Sequence, residues 1–169
     1  MKTEYLLNRE VDLVLAALTP GNRIVMRTIL YTGLRIGDVL ALRTSQIKPR
    51  FWITEQKTGK RRPVGLPADL RQDILAQAGE TWAFPGRNPE KARTRQAVWK
   101  DVKRAAKAFR LPVNVGTHSA RKVYAVELMR EYGDIERVAK VLNHANMTTT
   151  YIYAMADLQR KAKSAKKRK

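Results

Sequence analysis

Apolar residues recur every three or four positions after Asn8, which is the spacing of an amphipathic helix. Asn8 is a favoured helix cap, and the acidic residue two positions later suits the positive end of a helix. The proline and glycine that follow at 20 and 21 are expected to break this helix. A second helix is predicted over residues 23–31, with Gly33 suited to end it. Residues 36–47 continue with a third helical pattern.

The period of the pattern then changes from helical to extended. Residues 51–54 and 61–67 predict two short strands on either side of a turn at Thr58 and Gly59. The sequence therefore predicts a hairpin that carries Lys57 near its tip.

Helical patterns return after the hairpin and continue towards the end of the chain. The predicted helices cover residues 68–79, 94–109, 118–132 and 134–145. One or two further helices are predicted beyond residue 147. Thr117 is placed to cap the helix that follows it, and Gly133 to end that helix. The predicted fold class is mainly α with a small antiparallel β-sheet (α+β) of two or three strands.

Composition narrows the class of protein. The chain has 169 residues and a formal charge of +19 at neutral pH, and it contains no cysteine. The length suits one domain with a real core and leaves no room for a second large one. The missing cysteine excludes disulfides, thiolate nucleophiles and cysteine-held zinc. No apolar run approaches the roughly 18 residues of a membrane span, and no secretory signal is present, so we expect a cytoplasmic protein.

Positive charge is concentrated in two places, the last ten residues and the segment from Lys91 to Arg110. Clustered cations attract polyanions, so nucleic acid is the expected partner and an anionic membrane the lesser alternative. The last ten residues are equally typical of a solvated, unstructured tail. The residues predicted to contact DNA are Lys60, Arg61, Arg93, Arg95, Lys100, Lys103, Arg104 and Lys107.

The chain holds two histidines, His118 and His144, and each lies in a polar setting. His118 and Arg121 are three residues apart on a predicted helix, so both side chains can face one anion. On its own, a histidine three residues before an arginine is more often a surface pair without a functional role. Three further motifs in the same chain support a functional role for the pair, and these are TGLRIGDVLAL, EQKTGKRRPVGLP and TTYIYA.

Together and in this order, the motifs resemble the catalytic domain of the tyrosine recombinase, or phage integrase, family. The resemblance covers nearly the whole chain. It implies the family's DNA breaking and rejoining fold, and a site-specific recombinase that cleaves and rejoins DNA through a 3′-phosphotyrosine intermediate without metal or ATP. The catalytic residues that it implies are Arg35, Lys57, His118, Arg121, His144 and Tyr153, with Asp38 in support.

The chemistry of phosphodiester cleavage suits these residue types. Negative charge develops on the non-bridging oxygens, and Arg35 and Arg121 can clamp them through paired N–H donors, with His144 adding a third hydrogen bond. A phenol of unperturbed pKa about 10 must lose its proton on attack, for which His118 is the candidate unless its role is positional. Lys57 is a candidate acid for the leaving 5′ oxygen.

Two of these assignments stay open. Lys60 lies three residues after Lys57, so a shift in the hairpin register would exchange their roles. Tyr151 and Tyr153 point about 200° apart if they lie on one helix, so only one of them can face the phosphate. The family spacing selects Tyr153, nine residues after His144.

The acidic residue Asp38 is expected to orient an arginine or histidine of the site. A lone carboxylate without partner acids argues against a metal ion, and there is no glycine-rich loop of the ATP-binding kind. No cofactor is therefore predicted.

The resemblance also sets expectations for domains and assembly. Residues 1–156 are assigned to the catalytic domain and residues 157–169 to a basic tail, with the family's N-terminal core-binding domain absent. The expected partner is double-stranded DNA that carries a specific site, and no membrane partner is expected. Four copies of the chain are expected to assemble on DNA, whereas the isolated chain is expected to be a monomer. The alternatives are a catalytically silent DNA-binding or architectural protein of the same fold and a topoisomerase with the same tyrosine chemistry.

Overall fold

The computed structural model describes residues 3–143, 148, 150–152 and 155 of the chain. Within them, the elements with complete bounds are α1 (Asn8–Ala17), α2 (Pro20–Thr32), α3 (Ile36–Leu40), β1 (Arg50–Thr54), β2 (Arg61–Gly65), α4 (Ala68–Gln77), α5 (Arg95–Ala108), α6 (Thr117–Tyr132) and α7 (Ile135–Val141). A 3-10 turn over Thr44–Gln46 follows α3. The mainly α fold with a small antiparallel sheet is confirmed, and this sheet has two strands. No helix in this part of the chain is long and apolar enough to cross a bilayer.

Three predicted helix starts differ from the observed ones. Asn8 is the first residue of α1 rather than its cap. The cap is Leu7, whose backbone N–H donates to the Glu10 carboxylate at 2.9 Å. Pro20 begins α2 instead of only ending α1, because proline has no N–H to satisfy in a first turn. Thr117 is likewise the first residue of α6, after a glycine cap.

The core forms around α2, which packs against α1, α3, α4, α5 and α6. Val25 and Ile29 of α2 are almost completely buried, as is Leu34 just beyond its end. Because Leu34 is held by the core, the backbone that leads to Arg35 has a fixed course.

The hairpin alternates between an inner and an outer face. Its strands pair antiparallel from Arg50 opposite Gly65 to Thr54 opposite Arg61. One face carries Ile53 and Val64 into the core, and Arg62 shares that face and is 7% exposed. The small sheet therefore carries a charged residue into the interior.

A buried carboxylate fastens α5 to the start of α2. Asp101 Oδ2 accepts hydrogen bonds from the Thr19 N–H (2.9 Å), the Thr19 hydroxyl (2.8 Å) and the Asn22 amide (2.8 Å), and Arg104 donates to Oδ1. Burial by itself raises the pKa of Asp101, but these hydrogen bonds outweigh it and lower the pKa from 3.8 to about 2. Asp101 therefore stays ionised and braces α5 against the start of α2.

Two glycines end helices as predicted, and both adopt the left-handed conformation. Gly33 caps α2 with φ 64° and Gly133 caps α6 with φ 63°. A side chain at Gly33 would collide with the Tyr124 ring, whereas one at Gly133 would meet open space. The two caps thus share one backbone requirement and differ in packing.

Replacing Gly33 by alanine is therefore expected to destabilise the protein more than the same change at Gly133. Gly133→Ala should lower the free energy of unfolding by about 1 kcal/mol, which is the backbone penalty alone. Gly33→Ala should lower it by about 2–4 kcal/mol, since the Tyr124 ring must also move. Urea denaturation of both variants measures the difference, and equal losses would contradict a packing role for Gly33.

Candidate active site

Arg35 lies at the junction between α2 and α3. The left-handed turn at Gly33 redirects the chain, and Arg35 precedes the first residue of α3 in an extended conformation. Its side chain is 19% exposed, and Nη1 donates a hydrogen bond to Oε2 of Glu55 at 2.6 Å. The first predicted arginine therefore reaches the hairpin, with part of its side chain open to solvent.

The hairpin turn presents Lys57 and is tied to α3 by Asp38. Lys57 is exposed at the turn. The Asp38 carboxylate accepts the backbone N–H of Gln56 at 2.9 Å. Asp38 was expected to orient an arginine or histidine, and its observed hydrogen bond instead goes to the backbone beside Lys57. Lys60, the alternative to Lys57, lies beyond the turn and is exposed as well.

His118 and Arg121 lie in the first two turns of α6. Arg121 is 2% exposed, and its guanidinium donates to the carbonyl of Gly33 through Nη1 and to that of Leu142 through Nη2 at 2.6 Å. Arg121 thus connects the turn before Arg35 to the end of α7.

Arg62 is a second buried arginine, and it contacts the two carbonyl groups that directly precede those bound by Arg121 in the sequence. Arg62 donates to the carbonyl of Thr32 at 2.5 Å and to that of Val141 at 2.9 Å. Arg62 and Arg121 therefore join the end of α2 to the end of α7 through four carbonyl groups. Because these carbonyls lie at helix ends, the guanidinium donors satisfy groups that the helices leave unpaired.

The electrostatic environment of His118 shows which residues share the site. Partial burial lowers its pKa below 6.5, and the positive charges of Arg121, Lys122, Arg35 and Lys57 lower it further. The imidazole still keeps an exposed surface. His118 is therefore within electrostatic reach of three other predicted residues, which are Arg35, Lys57 and Arg121.

Two predicted residues, His144 and Tyr153, lie outside the described residues. Tyr151, the alternative to Tyr153, is helical and 56% exposed.

The cations predicted to contact DNA divide into two groups. Three of them donate hydrogen bonds to side chains of the protein, and these are Arg93, Lys103 and Arg104. The exposed remainder comprises Lys60, Arg61, Arg95, Lys100 and Lys107. The Arg95 guanidinium packs against Gly37, two residues after Arg35. The basic face of α5 therefore starts beside the site.

Sequence reasoning missed Glu55 and Arg62. Glu55 is 0% exposed and contacts Arg35, and Arg62 is the second of the buried arginines. A signal for Arg62 was present, because alternation along β2 puts it on the face of Val64. The signal for Glu55 was weaker: it is an acidic residue that is followed by four cations within seven positions.

A sequence model of the phage integrase family matches residues 4–160. Tyrosine recombinase XerD of Mycobacterium tuberculosis is 32% identical over 151 residues, which are 82% of this chain and 49% of that protein. The probable integrase/recombinase YoeC of Bacillus subtilis is 28% identical over 132 residues, covering 75% of this chain and 72% of YoeC. The chain spans about half the length of the XerD relatives that it matches.

Solved structures share the fold. A lambda integrase dimer bound to a COC′ core site superimposes with a TM-score of 0.75 at 20% identity, over 91% of this chain and 60% of that one. XerH bound to its palindromic difH substrate, in a post-cleavage complex, gives a TM-score of 0.71 at 23% identity, over 96% of this chain and 52% of XerH. With the family model matching nearly its whole length, the chain belongs to the phage integrase family.

Proposed function

We propose that this chain acts as a site-specific DNA recombinase, cleaving and rejoining strands through a 3′-phosphotyrosine intermediate. The observation that supports it most is the connection between the segments that carry Arg35, Lys57, His118 and Arg121. Arg121 donates to the carbonyl of Gly33, two residues before Arg35, and Arg35 donates to Glu55 at the turn that carries Lys57. Family membership and the DNA-bound relatives XerH and lambda integrase support the same function.

In this proposal Arg35 and Arg121 bind the scissile phosphate. Guanidinium groups present planar forks of N–H donors that match phosphate oxygens, and they stabilise the charge that develops as a tyrosine attacks. Their positions are set before DNA arrives, since both side chains are held by hydrogen bonds to the protein. His144 is assigned a third hydrogen bond to the same phosphate.

Proton transfer is assigned to the other two residues. His118 is neutral near pH 7 because of its lowered pKa, and it can take the proton of the attacking phenol. Lys57 is exposed on the turn, where an ammonium group can protonate the leaving 5′ oxygen. This division gives the base and the acid to different elements, α6 and the hairpin.

The partner proposed is double-stranded DNA, with four copies of the chain assembled on two sites. The exposed cations of the hairpin and of α5 supply attraction to phosphates that does not depend on sequence. Binding by the isolated chain is therefore expected to weaken steeply as salt is raised.

The function is tested by covalent capture from a pool of nicked duplexes whose core sequence is randomised. A nick next to the cleaved phosphate lets the short product strand diffuse away and traps the phosphotyrosine. Sequencing of the trapped strands is expected to return one preferred site. DNA binding without any adduct across the pool would contradict the proposal and favour a silent DNA-binding protein of the same fold.

The pH dependence of adduct formation tests His118 as the base. Because the pKa of His118 is lowered below 6.5, its neutral form prevails at pH 7, so the rate should be level there and fall only in acid. His118→Gln is expected to lower the single-turnover rate about 100-fold or more and to remove that fall. A variant whose rate still declines in acid with the same midpoint would show that another group is the base.

A further inference from the structure

We propose that Glu55 is a positioning residue, which holds the guanidinium of Arg35 in the orientation that receives the scissile phosphate. The Glu55 side chain is 0% exposed, and its Oε2 accepts Nη1 of Arg35 at 2.6 Å. The inference rests on the proposed function of Arg35, and it adds a carboxylate to a site otherwise described by its cations.

The Glu55 carboxylate is held through Oε2, to which the Thr58 hydroxyl also donates at 3.0 Å. Oε1 accepts no hydrogen bond from the described residues and has Nη1 of Arg62 at 3.8 Å. The backbone of Glu55 is fixed as well, because its N–H donates to Lys60 O at 3.0 Å and its carbonyl accepts the Gly59 N–H at 2.8 Å. A carboxylate anchored in this way sets the position of any side chain that binds it.

A guanidinium held through one nitrogen keeps its other N–H groups for a second anion. Arginine carries five N–H donors in one plane, so a carboxylate on Nη1 restricts the rotation of the plane without using up its donors. Arg35 remains 19% exposed, which leaves a path to solvent and to DNA. Orientation before binding lowers the reorganisation needed in the transition state.

Glu55 also ties Arg35 to the proposed acid. It begins the turn that presents Lys57 two residues later, and the next backbone N–H, from Gln56, is held by Asp38. Arg35 and Lys57 therefore belong to one hydrogen-bonded unit. A phosphate that meets Arg35 in this orientation also meets the turn that carries Lys57.

A purely structural role would make Glu55 only the counter-ion of buried Arg62. The distances favour Arg35, which lies 2.6 Å from the carboxylate against 3.8 Å for Arg62. A change at Glu55 should then act through Arg35. The effects of the two residues on the single-turnover rate, and not only on stability, should therefore be non-additive.

The experiment is a double-mutant cycle on the trapped-adduct assay, with the nicked duplex recovered from the randomised pool. Glu55→Gln is expected to lower the single-turnover rate about 30-fold and to leave DNA affinity within about threefold. Arg35→Ala should lose more, and Glu55→Gln/Arg35→Ala should lose no more than Arg35→Ala alone. Asp101→Asn is the matched control, because it alters a buried carboxylate elsewhere and should reduce thermal stability without changing the rate.

A second substrate separates positioning from folding. In a duplex with a methylphosphonate at the cleaved position, one charged oxygen is replaced by a methyl group, so the reaction depends less on Arg35. The deficits of Glu55→Gln and Arg35→Ala should both shrink on this substrate. Equal deficits of Glu55→Gln on both substrates, or multiplicative losses in the double variant, would overturn the proposal.

Two further outcomes are informative. If Glu55→Gln does not fold, Glu55→Asp keeps the charge near Arg62 and withdraws the carboxylate from Arg35, and a rate equal to wild type would overturn positioning. If Arg35→Ala is as fast as wild type, the role of Arg35 is wrong and the inference fails with it, while the proposed function still holds. If wild type forms no adduct, the proposed function itself fails.

Discussion

Tyr153→Phe is expected to abolish covalent trapping of DNA and to leave DNA binding and thermal stability unchanged. The substitution removes one hydroxyl oxygen, which is the atom proposed to bond to phosphorus, and keeps the ring. Without the hydroxyl of the proposed nucleophile the covalent bond to phosphorus cannot form, so the rate should fall by at least about 1000-fold. The measurement is the labelled adduct on a denaturing gel with the trapped substrate.

Tyr151→Phe is the matched control for this result. Tyr151 is 56% exposed and lies two residues away, so its loss should change the rate less than about twofold. If Tyr151→Phe loses the adduct and Tyr153→Phe keeps it, the spacing from His144 has selected the wrong tyrosine. An adduct that survives both changes would contradict the 3′-phosphotyrosine mechanism at either position.

Arg121→Met is expected to produce the second large effect, on activity and stability together. Methionine fills similar space but cannot donate to the carbonyls of Gly33 and Leu142, which Arg121 bridges. Leaving two buried acceptors without a charged donor should lower the free energy of unfolding by about 3 kcal/mol or more. Loss of one phosphate clamp should also slow adduct formation at least about 100-fold.

Arg130→Met on the same helix is the control, since Arg130 is more exposed and pairs with Glu127 on the surface. Its effect on stability should stay within about 0.5 kcal/mol. Urea denaturation and the trapped-adduct rate report the two roles of Arg121 separately. An unchanged rate in Arg121→Met would remove it from the phosphate site, and an unchanged stability would remove its connection between α2 and α7.

Helices, hairpin and glycine caps were predictable because their causes are local. The apolar spacing of α1 and the extended pattern around the turn at Gly59 act over a few residues. Gly33 and Gly133 end helices because glycine adopts positive φ without a steric penalty. The starts of α1 and α6 were each misplaced by one residue, because the observed caps are Leu7 and Gly116, whose side chains make no capping hydrogen bond and give no polar signal in the sequence.

Candidate site residues were predictable only through their resemblance to a family. Arg35 and Arg121 lie 86 positions apart in the sequence, and no local pattern relates them. The assignment of His144 and Tyr153 still depends on spacing alone, because both lie outside the described residues. Glu55 and Arg62 lie inside the motif EQKTGKRRPVGLP, but the resemblance assigns a catalytic role only to Lys57 within it.

The order of helices and strands, the positive charge and the residue types suited to phosphate chemistry all follow from the amino-acid sequence. Which charged side chains are buried, and which groups they contact, depends on the folded chain: Glu55 contacts Arg35, and Arg121 contacts Gly33 and Leu142. The cause is the separation of these residues along the chain. These contacts join residues 20 to 88 positions apart, so they exist only once the core around α2 has brought the segments together.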